Sequence, residues 1–346
     1  MRYPRHVLSL FVPLLVLACE NQVTDPEAAS LADNPLFKKC SSPPCGGGGG
    51  GPGDGTPADP AIAYLEGGNL KVMNEDGSNQ TTVFTSSTTH LGATPSWSRD
   101  GRRLAFAVSE PENSIAWRLK TIDLDIVNGI PVGSLPTTQS PDQVFDFAWS
   151  PTANIIAFAG GCGSDEPDGR CGDGDTQYLI TVPADGSMDT TVVYEAPAGE
   201  SPSYPTWNSD GSKIAFTTGR DGFNVLRILT LADAPTQNAP PLIDEGDFYW
   251  ISFPAWSRDG TRIAFRGMET SESDPAVYIV DATSGLPREP VLSQPYYLGS
   301  FSWSPDDSKL VVDLDRAIRL VDPASGQVIP KRKSYLARGH CPNWRR

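Results

Sequence analysis

The sequence predicts an all-β fold: a six-bladed β-propeller of four-stranded antiparallel blades, its ring closed by the C-terminal strand pairing with the N-terminal blade. Three observations predict it. One phrase, TPSWSRDGRRLAFAV at 94–108, returns as DFAWSPTANIIAFAG at 146–160, YPTWNSDGSKIAFTT at 204–218, FPAWSRDGTRIAFRG at 253–267 and SFSWSPDDSKLVVDL at 300–314. The Trp residues of the series stand at 97, 149, 207, 256, 303 and 344, with gaps of 52, 58, 49, 47 and 41 residues. A period of roughly 40–50 residues with turn chemistry in every gap is that of a propeller blade of about four short strands. Two half-copies complete the count: AIAY at 61–64 begins where a turn would have ended, and CPNW at 341–344 stops where a turn would begin. Joined, they make the sixth blade and remove the exposed sheet edges that an open ring would leave.

Within a copy, Trp97 and Ser98 finish one strand, Arg99-Asp100-Gly101 makes the turn, and Leu104-Ala105-Phe106 starts the return strand. Asp hydrogen-bonds nearby backbone and Gly accepts positive φ, so the pair suits a tight turn. Short alternating strands between such turns read as antiparallel β structure. The pattern P-x-W-S-x-D-G-x-x-I-A-F resembles the TolB-type propeller repeat, a relative of the WD-repeat blade, over about 61–344. The resemblance covers the blades and not the large N-terminal α/β domain of TolB proteins. It implies a recognition platform or an accessory domain of a peptidase, between which fold alone does not choose.

Residues 1–18 read as a signal peptide: Arg2, Arg5 and His6 precede a short apolar core at 7–17, too short to span a bilayer comfortably. The core ends in Val-Leu-Ala-Cys at 16–19, which resembles a bacterial lipoprotein cleavage box. The resemblance implies lipidation of Cys19; the alternative is an ordinary secretory signal. Residues 19–60 include a glycine run at 46–51 and form a flexible tether with a random-coil span on the order of 35 Å. The propeller occupies 61–346 and is expected to meet a membrane only through the lipid. With Asp absent after Cys19, the expected location in a diderm is the outer membrane facing the periplasm, or the cell surface.

The formal charge of −15, from 27 Lys and Arg against 42 Asp and Glu, argues against nucleic-acid binding, which needs a basic surface. It suits a cationic partner, and the expected state is a monomer. Beyond Cys19, the cysteines are Cys40, Cys45, Cys162, Cys171 and Cys341. Cys162 with Cys171 would staple a hairpin insertion, worth about 2–3 kcal/mol by loop closure. Cys40 with Cys45 is the preferred second bridge. That leaves Cys341 free or bonded outside the chain; alternatively it ties the tail to the closing strand.

If the Trp strand is the innermost of each blade, the Asp-Gly turns share one face of the ring. The connections after each Ile-Ala-Phe strand and before each Trp strand share the other. The longer insertions, at 109–117, 160–177, 218–223, 244–250 and 267–275, gather on that second face, where binding is expected. His90, His340, Phe248, Tyr249, Trp250, Tyr296 and Tyr297 all precede Trp strands. The aromatics either pack under blade rims or supply interface anchors. The two His either ligate a metal with a carboxylate or serve as hydrogen-bonded structure.

Asp165, Asp168, Asp173 and Asp175 crowd the Gly-rich insertion at 161–177. They make either a Ca²⁺ site or a solvated acidic loop, the usual fate of acid runs. No other cofactor is expected. No G-x-S-x-G elbow is present, and a lyase-like channel would need a richer His set. The expected function is a non-enzymatic protein-binding or scaffold module of the cell envelope, with an envelope protein or peptide as partner. The alternative is a carbohydrate- or peptide-processing enzyme working at the channel mouth.

Overall fold

A computed structural model describes residues 60–86, 91–110, 113–127, 130–134, 137–138, 144–160, 177–187, 189–220, 223–236, 238–293, 297–329 and 335–345. Its strands are β1 (Ile62–Glu66), β2 (Asn69–Met73) and β3 (Thr81–Thr85), then β4 (Leu91–Trp97), β5 (Arg103–Glu110), β6 (Asn113–Val127), β7 (Ile130–Gly133) and β8 (Thr137–Thr138). Next come β9 (Val144–Trp149), β10 (Ile155–Gly160), β11 (Tyr178–Pro183), β12 (Thr191–Glu195), β13 (Ser201–Trp207), β14 (Lys213–Arg220), β15 (Phe223–Thr230) and β16 (Pro241–Ile243). The remainder are β17 (Trp250–Trp256), β18 (Arg262–Met268), β19 (Ala276–Asp281), β20 (Pro290–Ser293), β21 (Leu298–Trp303), β22 (Leu310–Leu314), β23 (Ala317–Val321), β24 (Ala337–Arg338) and β25 (His340–Trp344).

These strands form six antiparallel blades, in the orders β4-β5-β6-β7, β9 to β12, β13 to β16, β17 to β20, β21 to β24, and β25-β1-β2-β3. We call them blades I to VI in that order. The last is the expected closure: Ile62 pairs with Trp344 and Ala63 with Asn343, so the two ends of the chain share one sheet. Blade I adds β8 beside β6. No helix among the described residues is long and apolar enough to cross a membrane.

The core is divided among the blade interfaces. Six clusters of buried residues fill the wedges, each drawn from two adjacent blades: Leu65, Leu70 and Val72 of blade VI pack with Trp97, Leu104 and Phe106 of blade I, and so on around the ring. The small residue inside each Leu-Ala-Phe or Ile-Ala-Phe triplet lets one sheet approach the next. Ala105 faces the second wedge while Phe106 faces the first.

The Trp residues link neighbouring blades. The indole Nε1 of Trp97 donates to Asn343 O at 3.2 Å, that of Trp207 to Ala148 O at 3.0 Å, and that of Trp303 to Ala255 O at 3.0 Å. In each case the acceptor directly precedes the Trp of the blade before. Arg103 lies over Trp149 at 4.8 Å and Arg262 over Trp303 at 4.6 Å, adding cation–π contacts between blades.

The turns behave as the Asp-Gly pattern predicts. Ser98 Oγ donates to Asp100 Oδ1 at 2.6 Å and accepts from Arg103 N at 2.9 Å, and Ser257 with Asp259 repeats the pairing at 2.6 Å. Gly101 and Gly260 take φ of 66° and 71°. In blade V an Asp stands in the Gly slot: Asp307 takes φ 57° and accepts from Arg258 N at 2.7 Å and Asp259 N at 2.8 Å. Arg99 Nη1 likewise reaches Thr152 O in the next turn at 3.1 Å. These turns touch one another around the ring and therefore lie on one face.

Candidate functional site: the central channel

The six Trp strands are the innermost, and they enclose a cavity of about 100 Å³. Its walls are built from the three residues before each Trp in blades I to V and from Asn343 in blade VI. The third residue before Trp differs from blade to blade: Thr94, Asp146, Tyr204, Phe253 and Ser300 all line the cavity. Ser96, Thr206, Ser302 and Asn343 line it one layer deeper. Strand registers shift at this level, between Ser203 and Thr206 and between Ser252 and Ala255. There Tyr204 and Phe253 take φ of 53° and 52°, a left-handed conformation that is a genuine outlier for bulky residues. Strain of this kind collects at sites where a side chain must be aimed. Here the rings of Tyr204 and Phe253 meet inside the ring with centroids 4.5 Å apart and planes tilted by 53°.

The cavity is electrically uneven. Asp146 is 9% exposed with the backbone N–H of Tyr204 facing its carboxyl, and burial pushes its pKa up to about 7. No ion pair to it occurs among the described residues. The hydroxyl of Ser300 is buried without a hydrogen-bond partner, as is that of Ser252. At the turn end, Arg258 reaches from blade IV to blades V and VI, where its Nη2 donates to Trp303 O and Trp344 O, both at 3.3 Å. Burial lowers the Arg258 pKa to about 10, against the opposing pull of the Asp307 carboxylate. The two charged side chains of the lining thus sit at different depths.

At the opposite end a second group of titratable side chains surrounds the start of the inner strands. Asp313 is wholly buried and pushed up to about 7 by desolvation; the backbone N–H groups of Cys341 and Arg316 face it without reaching full hydrogen-bond geometry. His340 is lowered to about 4 by burial and by Arg316, so it is neutral at pH 7. Tyr297 is raised to about 12 by burial first and then by Asp313. Tyr204 is raised by burial and by Asp146. Arg266 is lowered by burial, and its Nε has no partner.

The structure sorts the sequence-derived site residues. Phe248 is a correction: at 2% exposure it packs into blade IV, with ring centroids 5.3 Å from Phe265 and 4.7 Å from Tyr278. The apolar wedge there outcompetes solvent, so Phe248 is core and not binding surface. Tyr249 is exposed at 38%. Trp250 and His340 are half-buried at the starts of their strands, and Tyr297 is half-buried just before β21. Asp247 pairs with Arg288 at 2.5 Å, which spends its charge locally.

Cys341 is fully buried and disulfide-bonded, its partner lying outside the described residues. His90, Tyr296, Cys19, Cys40, Cys45, Cys162, Cys171 and the acidic insertion with Asp165, Asp168, Asp173 and Asp175 also lie outside them. Among the described residues no group of three or more His, Cys, Asp or Glu is placed to hold a metal ion.

Asp146, Tyr204, Phe253, Ser300, Arg258 and Asp307 were not singled out by the sequence reading. A signal for the first four was present. They occupy the one slot in the repeated phrase where the copies disagree most, between a repeated Trp and a repeated strand start.

No family model matches the sequence, and neither does any curated protein. Solved structures do match in fold. TolB from Acinetobacter baumannii aligns with a TM-score of 0.58 at 17% identity, over 84% of this chain and 68% of that one. A protein designated TolB from Agrobacterium tumefaciens aligns with 0.56 at 16% identity, over 78% and 87%. A chain from a nidogen/laminin complex aligns with 0.57 at 9% identity, over 82% and 97%. At such identities the likeness speaks for the fold alone, and that fold is the six-bladed, TolB-like β-propeller.

Proposed function

We propose that the chain is a non-enzymatic binding module of the cell envelope, tethered by a lipid on Cys19, that docks a partner protein over the mouth of its central channel. One observation carries the docking face. Arg258 is committed to the Trp303 and Trp344 carbonyls at the turn end, while Tyr204, Phe253 and Asp146 line the cavity towards the face of the connections, and we read that face as the approach. That face also bears the exposed Tyr249 and the half-buried Trp250, residue types favoured as interface anchors. The nidogen/laminin structure supports the reading in that a propeller of this shape occurs in a protein complex.

The test is site-specific photo-crosslinking in native envelopes. A photoreactive residue at Tyr249 is expected to give a discrete protein adduct, and one at the exposed Lys213 on the turn face none. Adducts from Lys213 alone would assign docking to the other face. Turnover of an oligosaccharide or peptide by the purified protein would favour the enzymatic alternative. The anchor is tested by fractionation: Cys19→Ala is expected to release the protein from membranes, because the tether has no other apolar attachment. Membrane retention of that variant until detergent is added would remove the lipid from the account.

A further inference from the structure

We propose that the channel cavity is a receptor for one cationic head group, the guanidinium or ammonium of an Arg or Lys side chain inserted by the docked partner, with Asp146 as its counter-charge. The proposal rests on the docking face assigned above and names the chemistry of its centre.

Asp146 is a carboxylate facing a cavity and screened from bulk water. It faces the backbone N–H of Tyr204 and pairs with no cation among the described residues. A buried carboxylate in that position is costly unless a positive group arrives. Arg258 lines the cavity and Arg266 acts on Tyr204 beside it, and neither acts on Asp146. Arg258 is committed to the Trp303 and Trp344 carbonyls at the far end, and Arg266 exerts its charge on Tyr204 and Tyr297. Burial alone accounts for the rise in the Asp146 pKa.

The remaining walls suit a cation as well. Tyr204 and Phe253 line the same cavity as Asp146, and aromatic rings attract cations within about 6 Å. The buried Ser300 hydroxyl, unpartnered, can accept from an N–H donor, and Thr94 offers another hydroxyl in the same layer. A cavity of about 100 Å³ is roomy enough for a head group, since about 10–15 Å³ by this measure already holds a water. The left-handed bulge that holds Tyr204 and Phe253 recurs at Ala93 and Cys341, so it belongs to the repeat; what is particular to blades III and IV is that it carries an aromatic ring.

The experiment is calorimetric titration of the full chain in detergent at pH 8, without any partner, using three probes. These are ethylguanidinium, the capped peptide acetyl-Gly-Arg-Gly-amide, and the same peptide with neutral citrulline in place of Arg. The Arg peptide is expected to bind the wild type about 10-fold or more tightly than the citrulline peptide, as a charged hydrogen-bonded pair requires. Asp146→Asn should remove that preference while leaving the near-UV circular dichroism unchanged.

Equal binding of the Arg and citrulline peptides by the wild type overturns the proposal, whatever becomes of the variant. Binding of ethylguanidinium with none of the Arg peptide would show a site for a free small cation and overturn the partner-side-chain assignment. Because no partner enters the titration, its result and that of the Tyr249 crosslink are read separately. A crosslink with no Arg preference would keep the docking face and discard the cation.

Discussion

Asp307 shows how a single departure from the repeat carries information. A Gly in its slot would take the positive φ without strain, yet the Asp carboxylate accepts from two backbone N–H groups of the neighbouring turn. We expect Asp307→Ala to cost about 2 kcal/mol, because it keeps the strained φ and loses two charge-assisted bonds. Asp307→Gly should cost less, since it relieves the backbone. Urea midpoints rank the two; a larger loss for Gly would mean the carboxylate alone decides.

The Trp residues allow a second comparison. Trp303 makes its inter-blade bond to Ala255 O, whereas the buried Nε1 of Trp256 has no partner. Trp303→Phe should therefore destabilise by about 1 kcal/mol more than Trp256→Phe, the net worth of one hydrogen bond. Equal losses would show that the indole acts through its volume.

At the scale of elements, β25 is the clasp. It contributes the innermost strand of blade VI, places Trp344 at 2% exposure, and lends its Asn343 carbonyl to Trp97 of blade I. Removing residues 341–346 strips that strand from β1 and opens both neighbouring wedges. A loss of at least about 3 kcal/mol is expected, comparable to deleting a buried Trp side chain. Unchanged thermal and urea transitions of the truncated protein would show that ring closure adds nothing.

This element was legible in the sequence because half of a repeated phrase stood at each end of the chain. The six blades were legible for a related reason. Turn chemistry and apolar triplets act locally, so each copy declares its own hairpin. The second strand pair of blade I was not legible: β6 runs for 15 residues and serves both β7 and β8, and no repeated phrase marks that part of any blade.

For the whole molecule, the buried acids set a pH dependence. Asp146 and Asp313 stand near 7 in the folded chain against 3.8 for an ordinary Asp. Between those limits the folded state holds protons that the unfolded chain has released, so their contribution to stability is full below about pH 4 and is lost as pH rises through 7. His340, lowered to about 4, works in the opposite sense, adding stability as pH rises from 4 towards 6.5. Comparing wild type with Asp146→Asn isolates one acid. Between pH 5 and pH 8 the wild type should lose about 2–3 kcal/mol more than the variant, measured by urea unfolding. Parallel profiles would place the Asp146 carboxyl in water.

The candidate site was less legible than the ring. Phe248 and Tyr249 are adjacent in sequence, yet a one-residue step along the chain puts the first in a wedge and the second in solvent. That outcome follows from packing between blades and not from residue type. Asp146 looks like any acid in an acidic chain until six strands converge on it.

The central claim is that partners are read at the channel mouth and not at the turns. Its most direct measurement is the dissociation constant of the crosslinked partner for the wild type, Trp250→Ala and Lys213→Glu. The account predicts that Trp250→Ala weakens binding by about 2 kcal/mol, roughly 30-fold, as for an interface hot spot, while Lys213→Glu stays within about twofold. Undiminished binding by Trp250→Ala together with loss on Lys213→Glu would contradict it.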